Sequence, residues 1–296
     1  MVYYSKGGAG MIKEIHVDTL DEVMEILAEQ DYREDIDRYR SQFLYRGMAN
    51  SCYKLETSLT RNCKELQKEL EMPIIKNFAK YAAIEDPSIG DSVWKQMILG
   101  QHHGLPTRLL DWSHSALVGL HFSCTEDDMD KMEAHDSMIW RIDMKELHSL
   151  LPKKYLDALR TEKIGSVTYS VDILDKVTKD PAQYDEDMGD HSMVIIEPPS
   201  TDPRIVNQYS FFSIIPLGIT DIESFLDTHT ENTIKYVIDK NLRWRIRDML
   251  DHLNMSERTV YPGLDGLTKW ITRHYFVKPK SVRTDHDCGC DKENNK

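Results

Sequence analysis

Six polar side chains crowd into eleven residues of this sequence: Gln101, His102, His103, Thr107, Arg108 and Asp111, with Gly104 and Pro106 between them. Such a density of donors and acceptors in a turn-forming stretch is either a hydrogen-bonded structural loop or one wall of a polar ligand site. Arg46 follows the apolar run Phe43-Leu44-Tyr45 and precedes Gly47, which predicts a residue at the end of a short strand. Its guanidinium fork suits the oxygens of a phosphate or a ribose, and its plainer role is an ion pair with a carboxylate such as Asp111. Ser113 and Ser115 stand before an apolar helical run that starts near Ala116. They read as N-caps, or as hydroxyls at an anion site on a helix N-terminus. Gln208 lies in a strand-like run with Tyr209, Phe211 and Phe212. An amide there orients a ligand or a water but takes no proton. Glu197, closing the preceding strand, is the nearest carboxylate for acid or base work, unless it is a solvated strand end.

The adjacent His102 and His103, with Asp111, raise the idea of metal-dependent hydrolysis. Neighbouring side chains point apart in regular structure and no third ligand is close, so no metal is expected. The stretch Asp285-His286-Asp287-Cys288-Gly289-Cys290 offers two thiols and one imidazole in a polar tail, too little for a stable site. The sequence has no Gly-rich phosphate loop, no G-x-S-x-G elbow, no H-E-x-x-H helix and no Cys-x-x-Cys pair.

The elements that must position these residues follow from periodicity. Lys13 to Val17 alternates like a strand, and Thr19 to Gln30 is a helix behind a Thr cap. Lys64 to Ile84 is a long helical pattern, broken or bent near Pro73. Ser92 to Leu99 is a helix that Gly100 ends. Ala116 to Cys124 is an apolar helix, and Ser137 to Ile142 a strand. Leu147 to Gly189, charged and weakly periodic, reads as helical surface insertions. Ser192 to Glu197 and Ile205 to Ile215 are strand regions. Ile219 to Phe225, Thr233 to Ile238, Trp244 to Leu253 and Leu264 to Tyr275 are read as helical. A few strands among many helices, without regular alternation, give an α+β class with a small mixed or antiparallel sheet.

The 296 residues, 40% of them apolar, are enough for a substantial core. Residues 1–10 and 277–296 read as polar tails, the second disordered, which leaves one domain over 11–276. No apolar run reaches membrane-spanning length and no signal peptide is apparent, so a cytoplasmic protein with no membrane partner is expected. Five irregularly spaced cysteines suit reduced thiols rather than a disulfide framework. The net charge of −13 opposes an electrostatic grip on nucleic-acid backbone, while leaving room for a basic pocket that binds a small nucleotide-like ligand.

Three stretches together resemble the FRG domain family: Phe43-Leu-Tyr-Arg-Gly47, Gln101-His-His-Gly-Leu-Pro-Thr-Arg-Leu-Leu-Asp-Trp112, and the helix from Ala116 to Phe122. Tyr45 stands where the Phe of the name-giving motif would be. Glu197-Pro-Pro199, Asp202-Pro-Arg-Ile205 with Gln208 and Phe212, and Val260 to Leu267 extend the resemblance over most of the chain. The family is known mainly from bacteria and their phages. The order of Arg46, Ser113 to Ser115 and a late Gln208 is in turn similar to the Arg, Ser, Glu order of ADP-ribosyltransferases. That resemblance implies a core of their kind, NAD as cofactor, and a protein or nucleic-acid target, in a toxin or in phage–host conflict. Arg46, His103, Arg108, Gln208 and Glu197 are then the candidates for catalysis. Gly47, Gln101, His102, Thr107, Asp111, Ser113, Ser115 and Tyr209 join Arg46 in holding the ligand. Gln208 in place of a carboxylate departs from the pattern, so the alternatives are a binding module without chemistry and the histidine-based hydrolase.

Overall fold

The structure, a computed structural model, describes residues 12–278 apart from 31, 35, 86–88, 162–167 and 201. The expected tail at 1–10, and that at 277–296 from residue 279 onward with Cys288 and Cys290, lie outside the described residues.

Seven strands form the central sheet: β1 (Lys13–Val17), β4 (Phe43–Met48), β5 (Leu109–Ser113), β6 (Ser137–Asp143), β7 (Val194–Ile196), β8 (Ser210–Ile214) and β9 (Ile234–Ile238). The order is β1-β9-β6-β4-β5-β8-β7, while β2 (Tyr32–Arg33) and β3 (Arg38–Tyr39) make a separate two-stranded ribbon. Every pairing in the central sheet is antiparallel except β1 with β9, so the sheet is mixed and the class is α+β as expected. The helices are α1 (Leu20–Ala28), α2 (Ser58–Cys63), α3 (Gln67–Glu85), α4 (Val93–His102), α5 (Ala116–Ser123), α6 (Met144–Ser149) and α7 (Lys153–Thr161). They continue with α8 (Val171–Val177), α9 (Pro181–Met188), α10 (Pro203–Asn207), α11 (Ile222–His229), α12 (Arg243–His252), α13 (Glu257–Val260) and α14 (Leu264–His274).

Alternation along β5 divides the core. Leu109 packs with α3, α4 and α7 to α9, whereas Leu110 and Trp112 join the opposite layer of Trp140, Phe211 and α11. A third apolar cluster holds Phe43, Tyr45, Tyr236 and Ile238 against α1, α5 and α12.

Several expected elements change character. Thr233 to Ile238 is not helical. Ile234, Tyr236, Val237 and Ile238 favour a pleated surface, and the segment is paired on both sides, with β1 and with β6. Within the stretch Leu147 to Gly189, the described residues are mostly helical, in α6 to α9, but they pack into the core and are no surface insertion. Its periodicity is carried by Tyr155, Tyr169 and Tyr184, all buried, with hydroxyls bonded to Asp187, to the Tyr155 carbonyl and to the Ile214 carbonyl. Helix α3 runs through Pro73. Helix α4 passes Gly100 and ends three residues beyond the expected stop. There His103 caps it and Gly104, at φ +84°, closes a Schellman turn in which Leu105 N–H donates to Gly100 O and Gly104 N–H to Gln101 O. Gly100 is small because Leu105 folds back over it: a Cβ there would lie 2.6 Å from Leu105 Cδ2.

Two devices fix the helices beside β4. At Gly47 the strand touches α5, where a Cβ would fall 1.8 Å from Gly119 O. Under the other side of α5 lies a buried ion cluster. Arg273 donates to Glu257 at 2.6 and 2.8 Å and to Asp251 at 2.9 and 2.7 Å, and Arg247 Nη1 donates to His121 Nδ1 at 2.9 Å. Burial and the charge of Arg247 push the pKa of His121 down to about 3, so it accepts that bond as neutral imidazole. Burial opposes ionisation of Glu257, but the bonds from Arg273 and the charge of Arg247 outweigh it and bring its pKa down to about 2.

Gly47→Ala should therefore cost about 3 kcal/mol of unfolding free energy in urea titrations, since the obstructing atoms are backbone and cannot yield. The cluster makes a pH prediction as well. A carboxyl whose folded pKa is depressed contributes stability above its ordinary value of 4.5 and loses it as pH falls toward 2. Unfolding free energy declines over that interval, and Glu257→Gln flattens part of the decline in a pH series of urea unfolding curves.

Candidate functional site

Strands β4 and β5 are neighbours in the sheet but pair at one position only, Tyr45 with Ser113. Beyond it both continue without a ladder between them, and a cavity of about 260 Å³ opens there. It is lined by Tyr45, Arg46 and Gly47 of β4, Asp111, Trp112 and Ser113 of β5, Gln101 of α4, Val118 and Phe122 of α5, and Arg204, Gln208 and Ser210. Arg46 lies inside β4, which runs on to Met48, and not at a strand end as expected. Its Nη1 donates to the Asp111 carbonyl at 2.7 Å and stands 3.6 Å from the Asp111 carboxylate. The Arg46 side chain is 23% exposed and that of Asp111 53%, so this is a half-open ion pair at a cavity wall. Burial lowers the pKa of Arg46 against the pull of Asp111, and its Nε is buried without a hydrogen-bond partner.

A relay sets the far side of Asp111. Thr107 Oγ1 donates to Gln101 Oε1 at 2.7 Å, which turns the amide so that Gln101 Nε2 donates to Asp111 Oδ2 at 2.9 Å. Thr107 is itself buried and takes the Leu109 N–H, so it positions Gln101 without lining the cavity. Ser113 donates to the Gln208 carbonyl at 2.6 Å. Gln208 is not in a strand: Asp202 and Pro203 start α10, Gln208 is its C-cap, and β8 begins at Ser210. Its Nε2 donates to Val260 O at 3.2 Å, which leaves Oε1 as the acceptor available to a ligand.

Other candidates are placed elsewhere. Arg108 is 2% exposed and points into the core, where Nε and Nη2 grip Glu71 and Nη1 reaches Asp185 at 2.5 Å. Burial alone would lower its pKa, but those two carboxylates raise it above the ordinary value, and four of its five N–H groups are spent on them. Glu197 is exposed beyond β7 and bonded by Thr168 at 3.3 Å, outside the cavity. Ser115 caps α5 by position but makes no side-chain cap bond. Tyr209, at φ +49°, is exposed and lies edge-on to His114. His102 and His103 line a different, mostly apolar cavity of about 1070 Å³ between α3 and α4. There His102 Nε2 is 3.2 Å from Asp202, and burial lowers the pKa of His102 against that carboxylate. Among the described residues no group of three His, Cys, Asp or Glu is arranged to hold a metal. Cys52, Cys63 and Cys124 are free thiols, and no described helix is long and apolar enough to cross a membrane.

Arg204 and Phe122 were missed as wall residues. The Asp202-Pro203 pair is a helix-start signal that, read as such, places Arg204 and Gln208 on one short helix instead of a strand.

Residues 41–132 match the model of one protein family, described as the FRG domain. The match takes in Arg46, Gln101, Asp111 and Ser113 and ends before Arg204 and Gln208. No curated protein and no solved structure matches the chain.

The two prominent arginines should separate experimentally. Arg108→Ala leaves two buried carboxylates without their cation and should cost about 3–5 kcal/mol in urea unfolding, whereas Arg46→Ala should change stability by less than about 1 kcal/mol.

Proposed function

We propose, for a chain that carries an FRG domain, that the Arg46 cavity binds a nucleotide, that this nucleotide is NAD, and that the chemistry is glycosyl transfer of the ADP-ribosyltransferase kind. The observation that supports this reading is convergence. Arg46, Ser113 and Gln208 come from three distant segments, belong to or directly precede the adjacent strands β4, β5 and β8, and line one hollow. The similarity in residue order to ADP-ribosyltransferases is thereby matched by proximity in space.

NAD would supply a glycosidic bond whose electron pair leaves with nicotinamide. The residues present suit its ribose and first phosphate. Arg46 offers the outer nitrogens of its guanidinium at the wall, while its Nε is buried without a protein partner. Gln208 Oε1 accepts from a ribose hydroxyl while its amide nitrogen is held by Val260. Gln208 carries no charge, so the electrostatic part falls to Asp111, the carboxylate of the cavity wall, held in place by Gln101 and Arg46. An enzyme of this type consumes NAD or marks a protein or nucleic-acid target, which fits a toxin or an agent of phage–host conflict.

A specific observation favours capture without chemistry as the second reading. Asp111 is already engaged by two partners, and the position that similarity assigns to a carboxylate is an amide.

Incubation with NAD should release nicotinamide, with Arg46→Ala lowering the rate about 100-fold and Gln208→Glu raising it. No release and no modified target in a lysate would reject the enzymatic reading. Thermal stabilisation by NAD that Arg46→Ala abolishes, without release, would support capture instead.

A further inference from the structure

The Arg46 cavity is smaller than the ligand proposed for it. At about 260 Å³ it falls below the roughly 300–1,000 Å³ that enclose drug-sized ligands, and a dinucleotide is at the large end of that class. A second cavity of about 670 Å³ adjoins it, and Arg204 is the one residue that lines both. The second cavity is polar, and its wall is built around Tyr261. Arg204 places its Cζ 4.9 Å from the centre of that ring, and Lys269 places its Nζ 5.2 Å from the same centre.

Two cations gathered on one ring repel each other, a repulsion that an anion placed between them relieves. Among the described residues neither is ion-paired with a carboxylate. Helix α14 also begins at this cavity, and Gly263, at φ +100°, offers no side chain to cap it. Its first N–H groups add to the positive potential at the rim. Asp202 and Asp265, on the same wall, are acceptors suited to sugar hydroxyls or to an exocyclic amine, not to a phosphate.

We propose that this second cavity is the seat of the distal half of the dinucleotide. Arg204 sits at the junction and bridges the two phosphates, Lys269 meets the distal phosphate, and the adenosine lies along Tyr261 and the two aspartates. The proposal rests on the nucleotide reading of the Arg46 cavity and extends it to the part of the ligand that cavity cannot hold.

Binding to the full chain by isothermal titration, with nicotinamide mononucleotide, ADP-ribose and NAD as probes, tests it without requiring turnover. NAD and ADP-ribose should bind at least about 30-fold more tightly than the mononucleotide. Lys269→Gln, at an exposed position that folding does not need, and Arg204→Gln should each weaken NAD and ADP-ribose about tenfold. Lys269→Gln should leave the mononucleotide unchanged, and Arg46→Ala should weaken all three. If the mononucleotide binds as tightly as NAD, or if Lys269→Gln leaves NAD unaffected while Arg46→Ala abolishes binding, the second seat is disproved and the Arg46 site stands. If none of the three probes binds the native protein, both readings fall together.

Discussion

Two central strands that part after a single residue pair are what makes a site possible in this sheet. Beyond Tyr45 and Ser113, the backbone of β4 and β5 loses the partner a continuous ladder would provide, and buried carbonyls must be satisfied some other way. Arg46 meets part of that need by donating to the Asp111 carbonyl, so the same guanidinium that stitches the gap also stands at its mouth. Everything else at the cavity follows from holding the gap open at a fixed width. Gly47 lets α5 lie against β4, α5 supplies Val118 and Phe122, and the Thr107–Gln101 relay fixes the carboxylate opposite. On the other flank β5 is fully paired with β8, which sets the level at which Gln208 enters.

The contrast between Arg46 and Arg108 shows how one residue type is given two fates. Arg108 lies between Glu71 and Asp185, which take four of its five N–H groups and balance its charge inside the core. Arg46 has one exposed carboxylate and a carbonyl, with Nε unmatched. A buried arginine with two carboxylates specifies packing; a half-buried one with a single exposed carboxylate leaves part of its charge facing the cavity. Arg204 on α10 and Lys269 on α14 are likewise cations without a carboxylate partner among the described residues, and both lie against the ring of Tyr261.

Much of this was legible from residue order. The strand at 13–17, the Thr-capped helix after it, the apolar helix from Ala116 and the grouping of Arg46 with Gln101, Asp111, Ser113 and Gln208 all follow from periodicity, capping and the FRG resemblance. What escaped did so for physical reasons. Arg108 and Thr107 have the side chains of a binding loop, and only burial shows that they serve the interior. The core contacts of α7 and α9 rest on Tyr155 and Tyr184, in a stretch whose charged residues mask the apolar period. A β-branched run at 234–238 takes its character from the strands on either side. Gln208 has strand-forming neighbours at 211 and 212, but the Asp-Pro helix start just upstream governs it and makes it the C-cap of α10.

The connectivity of the sheet also bears on how the molecule comes into being. Strand β1 lies beside β9, and their register joins Lys13 to Ile234 and Val17 to Ile238. On the ribosome β1 therefore waits without this partner until residues 234–238 have emerged, and long-range closure of this sort is slow. The hollow beside Arg46 is equally incomplete until residues 204–210 arrive to close it. A nascent chain thus carries Arg46 and Asp111 long before the cavity they line is closed.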